Sequence, residues 1–531
     1  MKTSFRQSMS GLHTWTGLLF AWLLYFMFIT GTAGYFDTEI DRWMQPELPV
    51  AVLNTDTGEF ISQAQDFLSN NGLPADRWLI VRALDRNDPF PRVLWQQDGA
   101  IHGGMFSPED NTLLTARDTG GGQLLYQMHW RLHYMSRNIS DIVVGIATMF
   151  LLLALITGII IHKKIFKDFF TFRPAKGSRS WLDLHNLSSV LSLPFQLMIT
   201  YSGLVFMMLA YVPVIISAHY GFADDARQQF NQEVFSSAAE VSSSGQKAEL
   251  TELSKLVTTA ETVLGKDQIR LVDIRNPGDQ HARVIISDSH ASGPLRSSNR
   301  LIFDGVTGEQ LEIRHAYETN VKATRDVLLG LHEGLFAGPL LRWLYFFSGL
   351  LGAMMIATGL VLWAKKRRQK FEKQRDTEHL GLKLVERLNV ATIVGLPIAI
   401  ACYFLANRLL PVELAQRADW EAHVMFISWS LMFVYAACRP IHAVWRGQLY
   451  LATSLFIAVP LVNMITSDRH LIHSLQAGDW VLAGFDLTML GLSLVFAIAA
   501  QRVKNNHKEK LISTPTPTRP LRSRLLKDNI Q

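Results

Sequence analysis

Eight runs of mostly apolar residues divide the chain, at about 14–36, 141–162, 187–216, 341–364, 388–410, 421–438, 448–466 and 480–501. Each approaches the ~20 residues that a helix needs to cross the hydrocarbon core of a bilayer. Each therefore predicts a transmembrane helix. The first run is as long as a full span and passes into Tyr35-Phe36-Asp37 rather than a small-residue cleavage site, so it predicts a retained anchor. In two long stretches between the runs the pattern changes. Residues 55–72 carry Phe60, Ala64, Phe67 and Leu68 on one helical face, and strand-like runs follow at 78–84 and 92–95. The second stretch repeats that order. Its helix is at 248–264, its strand-like runs are at 269–274 and 283–287, and Leu301-Ile302-Phe303 enters a tight turn at Asp304-Gly305-Val306-Thr307-Gly308.

Basic residues orient the spans. Lys2 and Arg6 precede the first, and Lys163, Lys164, Lys167, Arg173, Lys176 and Arg179 follow the second. Lys365-Lys366-Arg367-Arg368 follows the fourth, Arg439 and Arg446 the sixth, and Arg502, Lys504, Lys508 and Lys510 the eighth. The positive-inside rule makes all of these cytoplasmic, with both termini. The two long stretches then face the periplasm of a bacterial inner membrane. The expected fold is an α-helical integral membrane protein of about eight transmembrane helices, with two small α+β periplasmic modules inserted in a parallel internal repeat. Its parts are span 1 (1–36), the first module (37–140), span 2 (141–162), a basic loop (163–186), span 3 (187–216), the second module (217–340), span 4 (341–364), a second basic loop (365–387), a four-helix extension (388–501) and a disordered tail (502–531).

Composition agrees with this and narrows the function. With 48% apolar and 18% charged residues the chain is neither disordered, nor a nucleic-acid-binding domain, nor a simple soluble enzyme; lipid is the expected surrounding. The net charge of +5 matters less than its distribution, and two cysteines, Cys402 and Cys438, exclude a disulfide scaffold or a Cys-ligated cluster. The modules hold no catalytic triad, phosphate loop or metal-spaced cluster, so they predict binding or capping. No strand–GxGxxG–helix occurs in a cytoplasmic segment, so a flavin or nicotinamide site is not expected.

The 17 histidines gain meaning from an internal repeat. Leu12-His13 is followed 17 residues later by Thr30-Gly31, and Leu184-His185 equally by Ser202-Gly203. His129-Trp-Arg-Leu132-His133 precedes span 2, which closes with Thr157-Gly158 and His162. His332-Glu-Gly-Leu335-Phe336 precedes span 4, which closes with Thr358-Gly359 and Trp363. Parallel repeats are related by an axis along the membrane normal. That axis would set His13 against His185 at the cytoplasmic edge and His129 against His332 at the periplasmic edge, about one bilayer thickness apart. Two imidazoles across a flat gap are what a six-coordinate haem iron takes. Without Cys-x-x-Cys-His the haem would be b-type. A single histidine at a membrane edge is more often interfacial than a ligand; the register is what raises these. His162 could replace His13 or His185, and His133, one turn after His129, could replace that residue.

The carriers Leu12-His13-Thr-Trp-Thr-Gly17, Thr157-Gly-Ile-Ile-Ile-His162-Lys-Lys, Trp181-Leu-Asp-Leu-His185-Asn and Leu331-His332-Glu-Gly-Leu335 resemble the PepSY-associated transmembrane family over about 1–370. Asp304-Gly-Val-Thr-Gly308-Glu resembles the closing turn of PepSY domains. The family includes iron-regulated inner-membrane proteins and haem-containing reductases of ferric siderophores. The resemblance implies haem b, as two haems, with His13, His129, His162, His185 and His332 as ligand candidates. It also implies a ferric-siderophore substrate; with no flavin or nicotinamide site expected in the chain itself, a reductase would need a separate electron donor, a quinol or a cytoplasmic reductase.

The extension carries few polar groups in its spans. His423 within span 6 is a weak functional hint, and His470 and His473, at i and i+3, are more often bland surface residues than a metal site. Two other classes compete with the reductase. One is a transporter of siderophore, haem or iron, against which no span carries mid-membrane charges or a broken-helix pair. The other is a scaffold displaying its modules to a partner, which predicts no bound iron.

Overall fold

The computed structural model describes residues 4–49, 56–82, 90–162, 173, 177–208, 220–221, 241–289, 293–316, 320–374 and 379–513. Parts of the first basic loop, the end of the third apolar run and the Thr-Pro-rich terminus lie outside these residues. The chain is mostly helical, and among the described residues six helices are long and apolar enough to cross a membrane, or eight candidates if two bent helix pairs each count as one span.

The straight candidates include α6 (Arg137–Ile161) and α11 (Pro339–Lys373). The bent pairs are the first and third apolar runs. Helix α1 (Phe5–Leu19) turns by 62° into α2 (Ala21–Ala33) and α3 (Asp37–Met44); α7 (Ser178–Leu191) turns by 65° into α8 (Leu193–Phe206). Both breaks fall seven residues after a histidine, at Phe20 after His13 and at Ser192 after His185. Pro194 explains the second: it lacks an amide proton and fits the first turn of a new helix, not the middle of an old one. The expectation that no span is a broken pair is therefore overturned.

The sheet departs furthest from the sequence reading. Helix α4 (Thr57–Asn71) and strands β1 (Arg77–Val81), β2 (Arg92–Gln97), β3 (Ala100–Ser107) and β4 (Thr112–Leu113) form the first half. Strand β3 was hidden by Gly103-Gly104, although Asp98-Gly99, both with φ > 0, is a strong two-residue hairpin signal. Helix α9 (Leu253–Leu264) with β5 (Ile269–Arg275), β6 (Arg283–Asp288), β7 (Arg300–Asp304) and β8 (Gln310–Arg314) form the second half. The halves are not separate modules. They join edge to edge in one eight-stranded sheet, β4-β3-β2-β1-β5-β6-β7-β8, through the antiparallel pair β1–β5.

That seam places Arg77 opposite Arg275, a repulsive pair, and Asp273 holds both, at 2.6 and 3.3 Å. Above it, Gln65 of α4 accepts from the Leu253 amide at 2.8 Å and donates to the Thr251 carbonyl at 3.0 Å, capping the first turn of α9. Phe60, Leu68, Trp78 and Phe106 share one core with Val257, Ile274, Val284 and Phe303. The closing turn forms as an Asx turn: Asp304 Oδ1 accepts from the Val306 and Thr307 amides, both at 3.0 Å.

Beyond α11, helices α12 (Leu380–Ile393), α13 (Gly395–Leu409), α14 (Arg417–Cys438), α15 (Ile441–Thr466), α16 (Leu471–Gln476) and α17 (Trp480–Ser513) build the extension. Its last helix continues to Ser513, past the expected limit at 501, because the breaker Pro515 comes only after a run of good helix formers. The extension is not poor in polar groups either. Arg417 and Glu421 are fully buried and paired at 2.5 Å; Arg408, Asn407, Asn463 and Asp486 are buried beside them. Sequence windows average such residues away. Here they join the extension to the core: Trp43 Nε1 donates to Asp486 at 3.0 Å, and Arg408 donates to the Trp43 carbonyl and lies 3.8 Å from the centre of its ring.

Candidate functional site: two histidine pairs

The first pair forms at the end of the helices distant from the sheet. His13 on α1 and His185 on α7 face each other with ring centres 6.4 Å apart and planes at 61°. The His13 Nδ1–H donates to the Ala154 carbonyl at 2.9 Å, with the Thr157 hydroxyl at 3.4 Å. The His185 Nδ1–H donates to the Met355 carbonyl at 2.9 Å, with the Thr358 hydroxyl at 3.3 Å. Both anchors lie on straight helices, α6 and α11, each holding the imidazole of the bent helix beside it.

The second pair forms near the sheet. His129 caps α5 (Gly121–Met128) and His332 lies near the end of α10 (Asn320–Glu333); their ring centres are 6.0 Å apart and their planes at 20°. His129 Nδ1–H donates to the Tyr126 carbonyl at 2.8 Å. The Ser202 hydroxyl spends its own proton on the Met198 carbonyl at 2.6 Å and accepts from His332 Nδ1–H at 2.9 Å. Neither histidine belongs to a spanning helix. Burial, and after it the adjoining His129 ring, hold the His332 pKa down to about 3, and burial lowers that of His129. Both rings are therefore neutral, the form that binds a metal.

All four histidines thus use Nδ1 as a donor, which fixes the tautomer and leaves Nε2 with its lone pair. The separations are also informative. A metal ion between two imidazoles, with each nitrogen about 2 Å away and each ring centre about 1 Å behind it, sets the centres about 6 Å apart. Both pairs have that spacing.

A cavity of about 450 Å³ opens between His129 and His332, walled by Met27, Phe28, Val144, Leu151, Phe195 and Phe206 among others. Asp37, Arg137, Asp141, Arg296 and Glu333 also line it. Volume and lining match a site for a flat apolar ligand with polar edges. On α6, Thr148 lines this cavity and Gly158 meets His13, ten residues or about 15 Å further along. The two pairs lie about half a hydrocarbon core apart, closer than the bilayer thickness expected.

Each histidine also rests on a glycine. A Cβ on Gly31 would meet His129 at 3.3 Å, on Gly158 His13 at 3.4 Å, on Gly203 His332 at 3.1 Å, and on Gly359 His185 at 3.2 Å. These are the four glycines of the Thr/Ser-Gly repeat. The sequence reading used them only to align the halves and missed their role as seats, although one small residue after a hydroxyl at each of four matched places was the available signal.

The remaining candidates lie elsewhere. His162 ends α6, within electrostatic reach of His185. His133 turns away from the cavity and stacks on Phe426 at 5.8 Å. His470 caps α16 and His473 bonds the Asp468 carbonyl. Among the described residues no group of three or more His, Cys, Asp or Glu side chains converges on a metal site.

Residues 10–366, from just before His13 to just past Gly359, match the family described as PepSY-associated TM region. The chain belongs to that family. An uncharacterized protein of Pseudomonas aeruginosa, PA4219, is 22% identical over 358 residues, covering 66% of this chain and 87% of the relative. The PepSY-associated TM match contains both histidine pairs and their glycine seats and stops short of the extension from Leu380 onward.

The extension nevertheless reaches the second pair. Glu421 accepts from the Thr119 hydroxyl at 2.7 Å and the Gly120 amide at 3.0 Å, at the start of the helix that His129 caps. Tyr403 donates to the Gly121 carbonyl at 2.7 Å. Helices outside the family match thus set the angle of the element carrying one of its histidines.

Proposed function

We propose that the protein is a b-type haem reductase of the bacterial inner membrane, holding one haem between His13 and His185 and another between His129 and His332. The observation that carries this reading is the paired geometry: four imidazoles, all with Nδ1 donating, in two pairs at 6.4 and 6.0 Å. A haem at each place supplies one-electron chemistry that no side chain has. The chain's own groups do the rest. Ala154, Met355, Tyr126 and Ser202 orient the rings, and the apolar walls exclude water. Arg137 and Arg296, which line the cavity, suit the carboxylates of the macrocycle.

Under this reading the sheet lies in the periplasm and the termini in the cytoplasm, as the basic loops imply. The substrate is a ferric siderophore on the sheet side. Reduction to Fe(II) weakens its hard oxygen ligands and releases the iron. A separate donor, quinol or a cytoplasmic reductase, supplies electrons.

The first experiment is an absorption spectrum of the detergent-purified protein, made with ample haem supply, before and after dithionite. Low-spin b-type bands with two haems per chain are expected, followed by oxidation on adding a ferric siderophore. A protein without a Soret band would refute the reading. The two broken helix pairs, bent by 62° and 65°, favour a second reading, a transporter of siderophore, haem or iron. It predicts uptake that survives His185→Ala. A scaffold would tolerate His13→Ala, His185→Ala and His332→Ala alike.

A further inference from the structure

A second cluster stands four residues beyond His129, where the loop before α6 meets α14. Tyr134 and His423 share a 2.7 Å hydrogen bond between the phenol oxygen and Nδ1, with rings 5.9 Å apart at 20°. His133 lies 4.7 Å from the Tyr134 ring and stacks on Phe426 at 14°. Trp420 meets the His423 ring edge-on at 5.5 Å. Asp419 is close enough to act electrostatically on both His133 and Tyr134. The Tyr134 bond occupies one nitrogen of His423; among the described residues Nε2 has no hydrogen-bond partner, and neither has the His133 ring.

Two half-exposed imidazoles with spare hydrogen-bonding capacity, beside a phenol and a carboxylate, are costly to hold among apolar surface unless something completes them. Tyr134, Met135, Ile139, Trp420 and Ile427 are exposed around them, as on a face toward lipid at the depth of the headgroups. The haem-binding reading does not use this cluster, and the family match ends before its α14 half.

We infer that the Tyr134–His423 cluster binds the head of a membrane quinol and is where electrons enter. This rests on the haem-reductase reading. A quinol head is a flat ring with a hydroxyl at each end, and it arrives through lipid on an apolar tail. Phe426, Trp420 and Tyr134 offer ring faces; with its Nδ1–H donating to the Tyr134 oxygen, His423 accepts a hydrogen bond from a quinol hydroxyl at Nε2, and one ring nitrogen of His133 accepts from the other hydroxyl. Oxidation breaks two O–H bonds and gives one quinone, two protons and two electrons. His423 and His133 take the protons, which Asp419 and water carry off on the sheet side. A haem held between His129 and His332, reached through residues 129–133, would accept the electrons one at a time.

The test uses the full-length protein in lipid nanodiscs with a short-tailed azidoquinone, photolysed and mapped by mass spectrometry. Label concentrated in peptides 129–136 and 417–428, and reduced about tenfold in His133→Ala/His423→Ala, is the expected result. The dithionite-reduced spectrum of that variant should match the unaltered protein, which separates failure of this site from failure of the haem reading and reports folding. Tyr134→Phe should weaken labelling less. Label spread evenly over lipid-facing helices, or unchanged in the double variant, would leave only an interfacial aromatic belt and overturn the inference.

Discussion

The two histidine pairs are built by one device in two settings. At each, a glycine clears space, an Nδ1–H is spent on an oxygen, and two rings stand about 6 Å apart. At the pair far from the sheet, both anchors come from long straight helices, and each ring has a backbone carbonyl with a hydroxyl behind it. At the pair near the sheet, one ring ends a short helix and is tied to its own turn, the other is tied to a serine hydroxyl, and a cavity lies open between them. The first is braced by the bundle itself; the second depends on what surrounds it. In the haem reading, the first suits a retained relay and the second the place where electrons are exchanged with other molecules.

The strongest way to break this comparison is to remove one ring at a time. His185→Ala and His332→Ala should each lower the haem content from two per chain to one. Only His332→Ala should also abolish oxidation by an added ferric siderophore, read by stopped-flow absorption. Equal loss of oxidation in both would make the pairs equivalent.

Next come the seats. Gly203→Val and Gly359→Val keep every imidazole but place branched carbons where a Cβ alone already comes within 3.1 or 3.2 Å of one. Each should cost its own haem, seen as half the absorbance per protein. Alanine should be milder, since a shift of a few tenths of an ångström relieves it.

Glu421→Ala tests the dependence of the sheet-side pair on the extension. It leaves Arg417 buried without its partner, a change that costs about 3–5 kcal/mol. It also frees Thr119 and Gly120 at the start of α5. Thermal release of haem, followed by absorbance, should begin at a lower temperature for the His129–His332 site than for the other.

Smaller effects follow from the hydroxyls. Ser202→Ala removes the 2.9 Å acceptor of the His332 Nδ1–H and leaves the Ile199 carbonyl as a poorer one, a loss worth about 1 kcal/mol, or about 40 mV for one electron. Thr358→Ala leaves the Met355 carbonyl in place. Redox titration should therefore shift the sheet-side haem more than its partner.

The smallest concerns pH. Asp279 accepts from the Ser243 hydroxyl, the Ser244 and Gly245 amides and the His281 amide, and these bonds, the Ser243 hydroxyl first, hold its carboxyl well below the usual range. A depressed pKa contributes stability above the unfolded value that is lost as the pH falls through the folded one. Protection of amides 243–245 against hydrogen exchange should fall below about pH 4, and Asp279→Asn should remove that dependence.

Much of this was legible in the sequence, for identifiable reasons. Apolar run length located the spans, and strand and helix periods located α4, β1, α9, β5 and β6. The register of His13 with His185 and of His129 with His332 pointed to the pairs that the fold brings face to face. The bends escaped because run length is blind to direction; Pro194 was visible, but nothing comparable marks Phe20. The β1–β5 seam escaped because it joins strands from different halves, and no local pattern encodes that partnership. The Arg417–Glu421 network escaped because hydropathy averages reward its neighbours. His133 and His129 share a periodic face on paper, yet the turn after α5 sends them to different places.

The seam between β1 and β5 also imposes an order of events on biosynthesis. Residues 77 and 269 are 192 positions apart, so at 5–20 residues per second the ribosome needs roughly 10–40 s to supply the second strand after the first. For that interval β1 is a bare edge, and its flanking arginines, Arg77 and Arg82, are the kind of charged residues that discourage a stranger from pairing there. Once β5 docks, the two halves of the sheet are joined, and the chamber between His129 and His332 is completed only by α10 and α11, which follow β5 in the chain. In the haem reading, a cofactor offered too early would find half a socket, and loading would wait until the nascent chain has closed the clasp.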